Sequence, residues 1–199
     1  MRRLTIASIA VLFSLSLAGV CLARKHPAQE PVVQNFPAPD PAKVQDFIAR
    51  EFGSGYKLLP GQPPLVLDLD GDGKEDLVAV ASGPNPFQEQ AKYHYKVADP
   101  YDEYFGYGNP RVTIQFGGLD PSRRRFLLIA QDWLHTPKTK FILINVPEFQ
   151  TLKIGTFMVK KKVVHAIAGA EGYGGVDWAI YWDGKKYHWE AYGMSPENN

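Results

Sequence analysis

Cysteine is almost missing from this chain. Its 199 residues contain one, Cys21. A disulfide framework is therefore excluded, and the fold must rest on a core, with or without a metal. Charge of one sign is missing too. The formal net charge is +1, which gives no overall field for nucleic acid or for a strongly acidic partner. Familiar catalytic signatures are also absent. There is no Gly-x-Ser-x-Gly elbow and no His-Glu-x-x-His pair. His94, His135, His165 and His188 are scattered. Asp132, Glu148, Glu171 and Asp177 could supply a carboxylate pair for glycoside hydrolysis, but that chemistry depends on a separation in space. No residue nominates itself as catalytic.

Only one apolar run approaches membrane length, and it lies at the start. Arg2 and Arg3 precede Ile6 to Val20, centred on Leu12, Phe13, Leu15 and Leu17, and Cys21-Leu22-Ala23 follows. A positive end, a short apolar stretch and small residues at −3 and −1 form the pattern of a secretory signal peptide cut after Ala23. The run falls short of the roughly 20 residues that span a bilayer. Val20 stands where lipid attachment at Cys21 would want a small residue. The expectation is a secreted or periplasmic protein with residues 1–23 removed and no transmembrane segment left.

Residues 24–39 contain Pro27, Pro31, Pro37 and Pro39 and read as a linker. A single domain is expected over 40–195, with a tail at 196–199. Asp40-Pro41 should cap and start a helix. Val44, Phe47 and Ile48 share one face of it, and Gly53 ends it. From Leu65 onward the pattern is β. Short apolar or alternating runs occupy 65–67, 77–80, 111–116, 126–130, 141–146, 156–159, 163–168, 178–182 and 187–192. Lys160-Lys161-Lys162 and Asp183-Gly184 read as hairpin tips. Residues 83–110 interrupt the pattern and read as a long loop. The expected class is mainly β: an antiparallel sheet, sandwich or partial barrel with one N-terminal amphipathic helix.

The most specific signal is Asp68-Leu69-Asp70-Gly71-Asp72-Gly73-Lys74-Glu75-Asp76. Carboxylates fall at loop positions 1, 3, 5 and 9, and glycine at position 6 permits a sharp turn. Calcium takes six to eight oxygens at flexible distances, which alternate residues of a curled loop can supply. Four carboxylates this close repel one another unless a cation sits among them. Thiolates and clustered imidazoles, which would favour zinc or copper, are not present. Position 12 is Ala79 where an EF-hand needs glutamate, and the flanks are strand-like. The expected cofactor is Ca2+ in a β-loop-β setting, with a structural role.

The stretch from Leu67 to Val78 resembles the calcium loop of FG-GAP or VCBS-type repeats, which are found in integrin-like propellers and many secreted bacterial proteins. The resemblance implies Asp68, Asp70, Asp72 and Asp76 as side-chain ligands and Lys74 as a carbonyl ligand. It covers about a dozen residues and occurs once. A full propeller, which repeats its blade at least four times, is not expected.

Aromatic residues crowd the segment after this loop. Tyr93, Tyr95, Tyr101, Tyr104 and Tyr107 lie among Asp99, Asp102 and Glu103. They could fold back as a satellite core. Alternatively, they could form a surface for an extracellular carbohydrate or protein. The leading functional expectation is an exported, calcium-binding interaction module. The alternative is a secreted hydrolase acting on a polymer such as a polysaccharide. Trp178, Ile180 and Trp182 should share one face of the last hairpin, with Tyr181 on the other.

Overall fold

The computed structural model describes residues 36–106, 125–147, 149–170 and 176–194. The leader, most of the linker, the strand expected at 111–116, the Arg123-Arg124 pair, the glycine-rich 171–175 and the tail lie outside the described residues.

Helix α1 runs Pro41–Glu51. Asp40 caps it by accepting the Ala42 N–H at 2.9 Å, and Pro41 takes the first turn, where a missing N–H costs nothing. The chain leaves the helix through Gly53 at φ +121°, a backbone state that suits glycine. Val44, Phe47 and Ile48 are buried, as their spacing predicts.

Among the described residues, ten strands form two sheets. In the first, β1 (Lys57–Leu58), β3 (Asp76–Ser82), β5 (Arg125–Gln131), β6 (Thr139–Leu143) and β4 (Lys96–Ala98) lie side by side, and β2 (Leu65–Leu67) also pairs with β3. All of these pairs are antiparallel except β4 with β6, which is parallel. The second sheet is an antiparallel meander of β7 (Thr151–Val159), β8 (Lys162–Ala170), β9 (Val176–Trp182) and β10 (Tyr187–Met194). Lys160 and Lys161 join β7 to β8 with φ +46° and +69°, the left-handed pair that a tight hairpin requires.

The first sheet is covered on both faces, which is why β3 and β5 read as continuous apolar runs. On one face Leu77, Ala79, Ala81, Phe126, Leu128 and Ala130 pack against α1 and Phe52. On the other, Val78, Val80, Leu127, Ile129 and Leu143 meet Ile167, Trp178, Ile180 and Trp189 of the second sheet. The fold is therefore three layers: helix, mixed sheet, antiparallel sheet. It is mainly β, as expected, and no closed barrel forms among the described residues. Trp178, Ile180 and Trp182 do share the inner face, while Tyr181 packs outside with Ala166 and Ala179. Gly169 lies opposite Trp178 in the ladder. A Cβ there would stand 2.2 Å from the indole, so the ring can lie flat only because the side chain is missing.

One expectation is corrected. The described part of 83–110 is not a long loop. It holds α2 (Pro86–Tyr93), β4 and α3 (Pro100–Tyr104). Asn85 and Asp99 cap the two helices by accepting the N–H groups of Phe87 and Asp102. Both caps precede a proline, the same device that starts α1. The composition of this segment masked a repeated helix-start signal.

Candidate metal centre and aromatic surface

The acidic loop joins β2 to β3, as its flanks predict. It curls around the Asp68 carboxylate. Oδ1 accepts the N–H groups of Gly71 at 2.8 Å and Asp72 at 3.0 Å, and Oδ2 accepts that of Gly73 at 2.9 Å. Gly71 and Gly73 sit at φ +77° and +84°, so both glycines serve the curl. Asp68, Asp70 and Asp76 each bring an oxygen to within 4.8 Å of the others. An all-oxygen set of this kind fits a hard divalent cation such as calcium.

Asp76 is fully buried. Its Oδ2 accepts the Leu69 N–H at 2.8 Å and the Asp70 N–H at 3.3 Å, and its Oδ1 accepts that of Asp132 at 2.9 Å. Burial nevertheless pushes its carboxyl up to about 7, helped by the negative charge of Asp70 and resisted by those backbone donors. A carboxylate so placed is at ease only when it is protonated or faced by a cation.

Asp72 stays outside the trio. Its Oδ1 accepts the Lys74 N–H, and its Oδ2 lies 3.6 Å from Lys138 Nζ. The Lys74 ammonium turns away and bonds Asp132 Oδ2 at 2.5 Å.

Four residues around the loop were not singled out as its neighbours by sequence. Asp132 stands at φ +58° at the end of β5, between Lys74 and the Nδ1 of His135 at 2.7 Å. Hydrogen bonds from Lys74 and His135 hold its carboxyl below the ordinary range. Trp133 N–H bonds the Glu75 carbonyl at 3.1 Å. Lys138 Nζ donates to Asp70 Oδ2 at 3.1 Å. His165 of β8 reaches across from the second sheet and bonds the Asp68 carbonyl through Nδ1. They lie 56 to 97 residues from their partners, so no local pattern could have announced them.

The aromatic residues divide in two. Tyr95 is 2 % exposed, donates its hydroxyl to the Pro86 carbonyl at 2.8 Å and stacks on Phe52. Tyr93 is half-buried and packs on the same core. For these two the satellite-core alternative holds, and Tyr95 is removed from any ligand surface. Tyr107 lies outside the described residues. Tyr101 and Tyr104 belong to α3, where they meet Trp189 of β10 with ring centroids 5.0 Å and 4.8 Å away. Phe105 adds to the cluster. Tyr104 and Phe105 remain 48 % and 53 % exposed. A shallow cleft beside them is lined by Pro100, Glu103, Lys186, His188 and Glu190. Trp189, from the distant terminal hairpin, joins Phe105 and the two tyrosines in this surface, a contact between segments that local pattern does not show.

Of the carboxylates considered for hydrolysis, Glu148 and Glu171 lie outside the described residues, and Asp132 is committed to Lys74 and His135. Among the described residues, no helix is long and apolar enough to cross a membrane. Compared with family models, curated proteins and solved structures, the chain matches none.

Proposed function

We propose that this chain is an exported calcium-binding β-sandwich module, in which one ion stabilises the fold and an aromatic surface takes a ligand. The observation that carries the reading is the gathering of Asp68, Asp70 and Asp76 around one point, with Asp76 fully buried. Loop curvature supplies the geometry, and the buried charge supplies the demand for a cation. In a chain with one cysteine, an ion bound at a hundredfold excess over its dissociation constant adds about 2.7 kcal/mol. That is a sizeable share of a typical domain's stability. Calcium melts with and without chelator test the reading, and an identical melting temperature in both would sink it.

Export is supported by the leader pattern at 1–23. The mature protein should begin at Arg24, which N-terminal sequencing of the exported form would check. The ligand surface is assigned to Tyr104 and Phe105 over Trp189, rimmed by Glu103 and Lys186. Exposed rings beside charged groups suit an extracellular carbohydrate or a peptide. A glycan and peptide array probed with wild type and a Tyr104→Ala/Phe105→Ala variant tests this. Binding that the double variant retains would exclude the surface.

A further inference from the structure

One side chain of the protein already occupies a carboxylate that the proposed ion would need. Lys138 lies between β5 and β6, far from the acidic loop in sequence. Its ammonium bonds Asp70 Oδ2 at 3.1 Å and stands 3.6 Å from Asp72 Oδ2. Asp70 belongs to the trio that would hold the ion, and the Asp72 N–H bonds Asp70 Oδ1 at 3.2 Å. The contacts are anchored at their base. Lys138 N–H bonds the Gln131 carbonyl at 3.0 Å, at the neck of the turn that also presents Asp132 to Asp76. The lysine side chain is 56 % exposed, so it can swing into water when displaced.

We infer that Lys138 is a built-in counter-cation that weakens and tunes calcium binding, an inference that rests on the calcium reading above. Two effects act together. Calcium must break the ammonium–Asp70 contact to take that oxygen. The displaced ammonium then remains near a doubly charged ion of the same sign. Repulsion between such charges about 5–6 Å apart, through a largely aqueous medium, corresponds to roughly a tenfold change in affinity. Because the ammonium is exposed, salt screens this effect. The lysine also gives the loop partial neutralisation when calcium is scarce, which keeps the carboxylates from driving it open. Lys74 plays no such part, since its ammonium is bound to Asp132 instead.

The test compares wild type, Lys138→Met and Lys138→Arg by calcium titration calorimetry and by thermal melts in chelator and in calcium. Lys138→Met should bind calcium roughly tenfold more tightly at low salt, with the gap narrowing in high salt. It should melt lower than wild type in chelator and show a larger rise on adding calcium. Lys138→Arg, which keeps the charge, should stay near wild type. Equal calcium affinity in wild type and Lys138→Met, or weaker binding by Lys138→Met, would overturn the role of Lys138 and leave the calcium site standing. Failure of all three proteins to bind calcium would overturn the site and this inference together.

Discussion

Two Asp-Gly turns in this protein use the same local chemistry and reach opposite electrostatic ends. At the β9–β10 hairpin, Asp183 accepts the N–H groups of Lys185 and Lys186 and bonds His188 Nε2 at 2.8 Å. Its partial burial acts upward, but these partners hold its carboxyl down to about 2. In the acidic loop, Asp76 also accepts three backbone N–H groups, yet it is raised to about 7. Hydrogen bonds to a carboxylate therefore do not settle its charge. Solvent and neighbouring sign decide. Asp183 sits at an open hairpin tip, bonded to His188 and to the backbone of Lys185 and Lys186. Asp76 is sealed beneath Asp70, with Asp68 close by. One turn is self-sufficient; the other asks for a cation.

The largest way to break this contrast is to withhold the proposed ion or to change Asp76. Calcium in excess should raise the melting temperature by roughly 5–10 °C over the chelated protein. Asp76→Asn should abolish that rise and also cost about 1–3 kcal/mol in chelator, because one amide face then points a donor at buried donors. The corresponding change at the hairpin, Asp183→Asn, should move the melting temperature by no more than about 2 °C and leave the calcium response intact. An equal loss in both variants would erase the distinction.

A smaller effect sharpens it by pH. Folding raises the Asp76 pKa, so the fold binds that proton more tightly than the unfolded chain. In chelator, its contribution is fully present below about 4 and is lost as pH rises through about 7. Asp99, raised to about 6 mainly by burial, acts in the same direction over a narrower window. Asp183 has the opposite sign: its contribution is present above about 4 and lost as pH falls towards 2. Denaturant melts in chelator from pH 4 to 8 should therefore show stability falling with pH, and calcium should flatten that slope by keeping Asp76 ionised. Asp99→Asn should remove only the part of the slope below about 6. A chelated protein that gains stability across this range would contradict the assignment of Asp76.

The smallest effect expected concerns the aromatic surface. Tyr104→Ala/Phe105→Ala should leave the calcium response unchanged and shift the melting temperature only slightly, because both rings are about half exposed. Tyr95→Ala, by contrast, empties a core position and should cost about 3–5 kcal/mol. Similar losses from both would mean that Tyr104 and Phe105 are structural.

The sequence by itself determined the local events. Asp40-Pro41 started a helix, Gly53 ended it, the Lys160 and Asp183 turns closed hairpins, and the acidic spacing with Gly71 and Gly73 curled one loop. Each needs only neighbours within a few residues, and such neighbours leave a readable pattern. Alternation also assigned Trp178 and Tyr181 to opposite faces. What the segment 83–106 became was harder to read, because aromatic and polar residues there hid two proline-started helices. Only the tertiary structure decided that Asp76 is sealed, that Lys138 faces Asp70, that His165 ties the loop to the second sheet, and that Tyr95 belongs to the core while Tyr104 does not. Those outcomes depend on burial and on charges brought together from distant parts of the chain, and neither quantity is a property of local sequence.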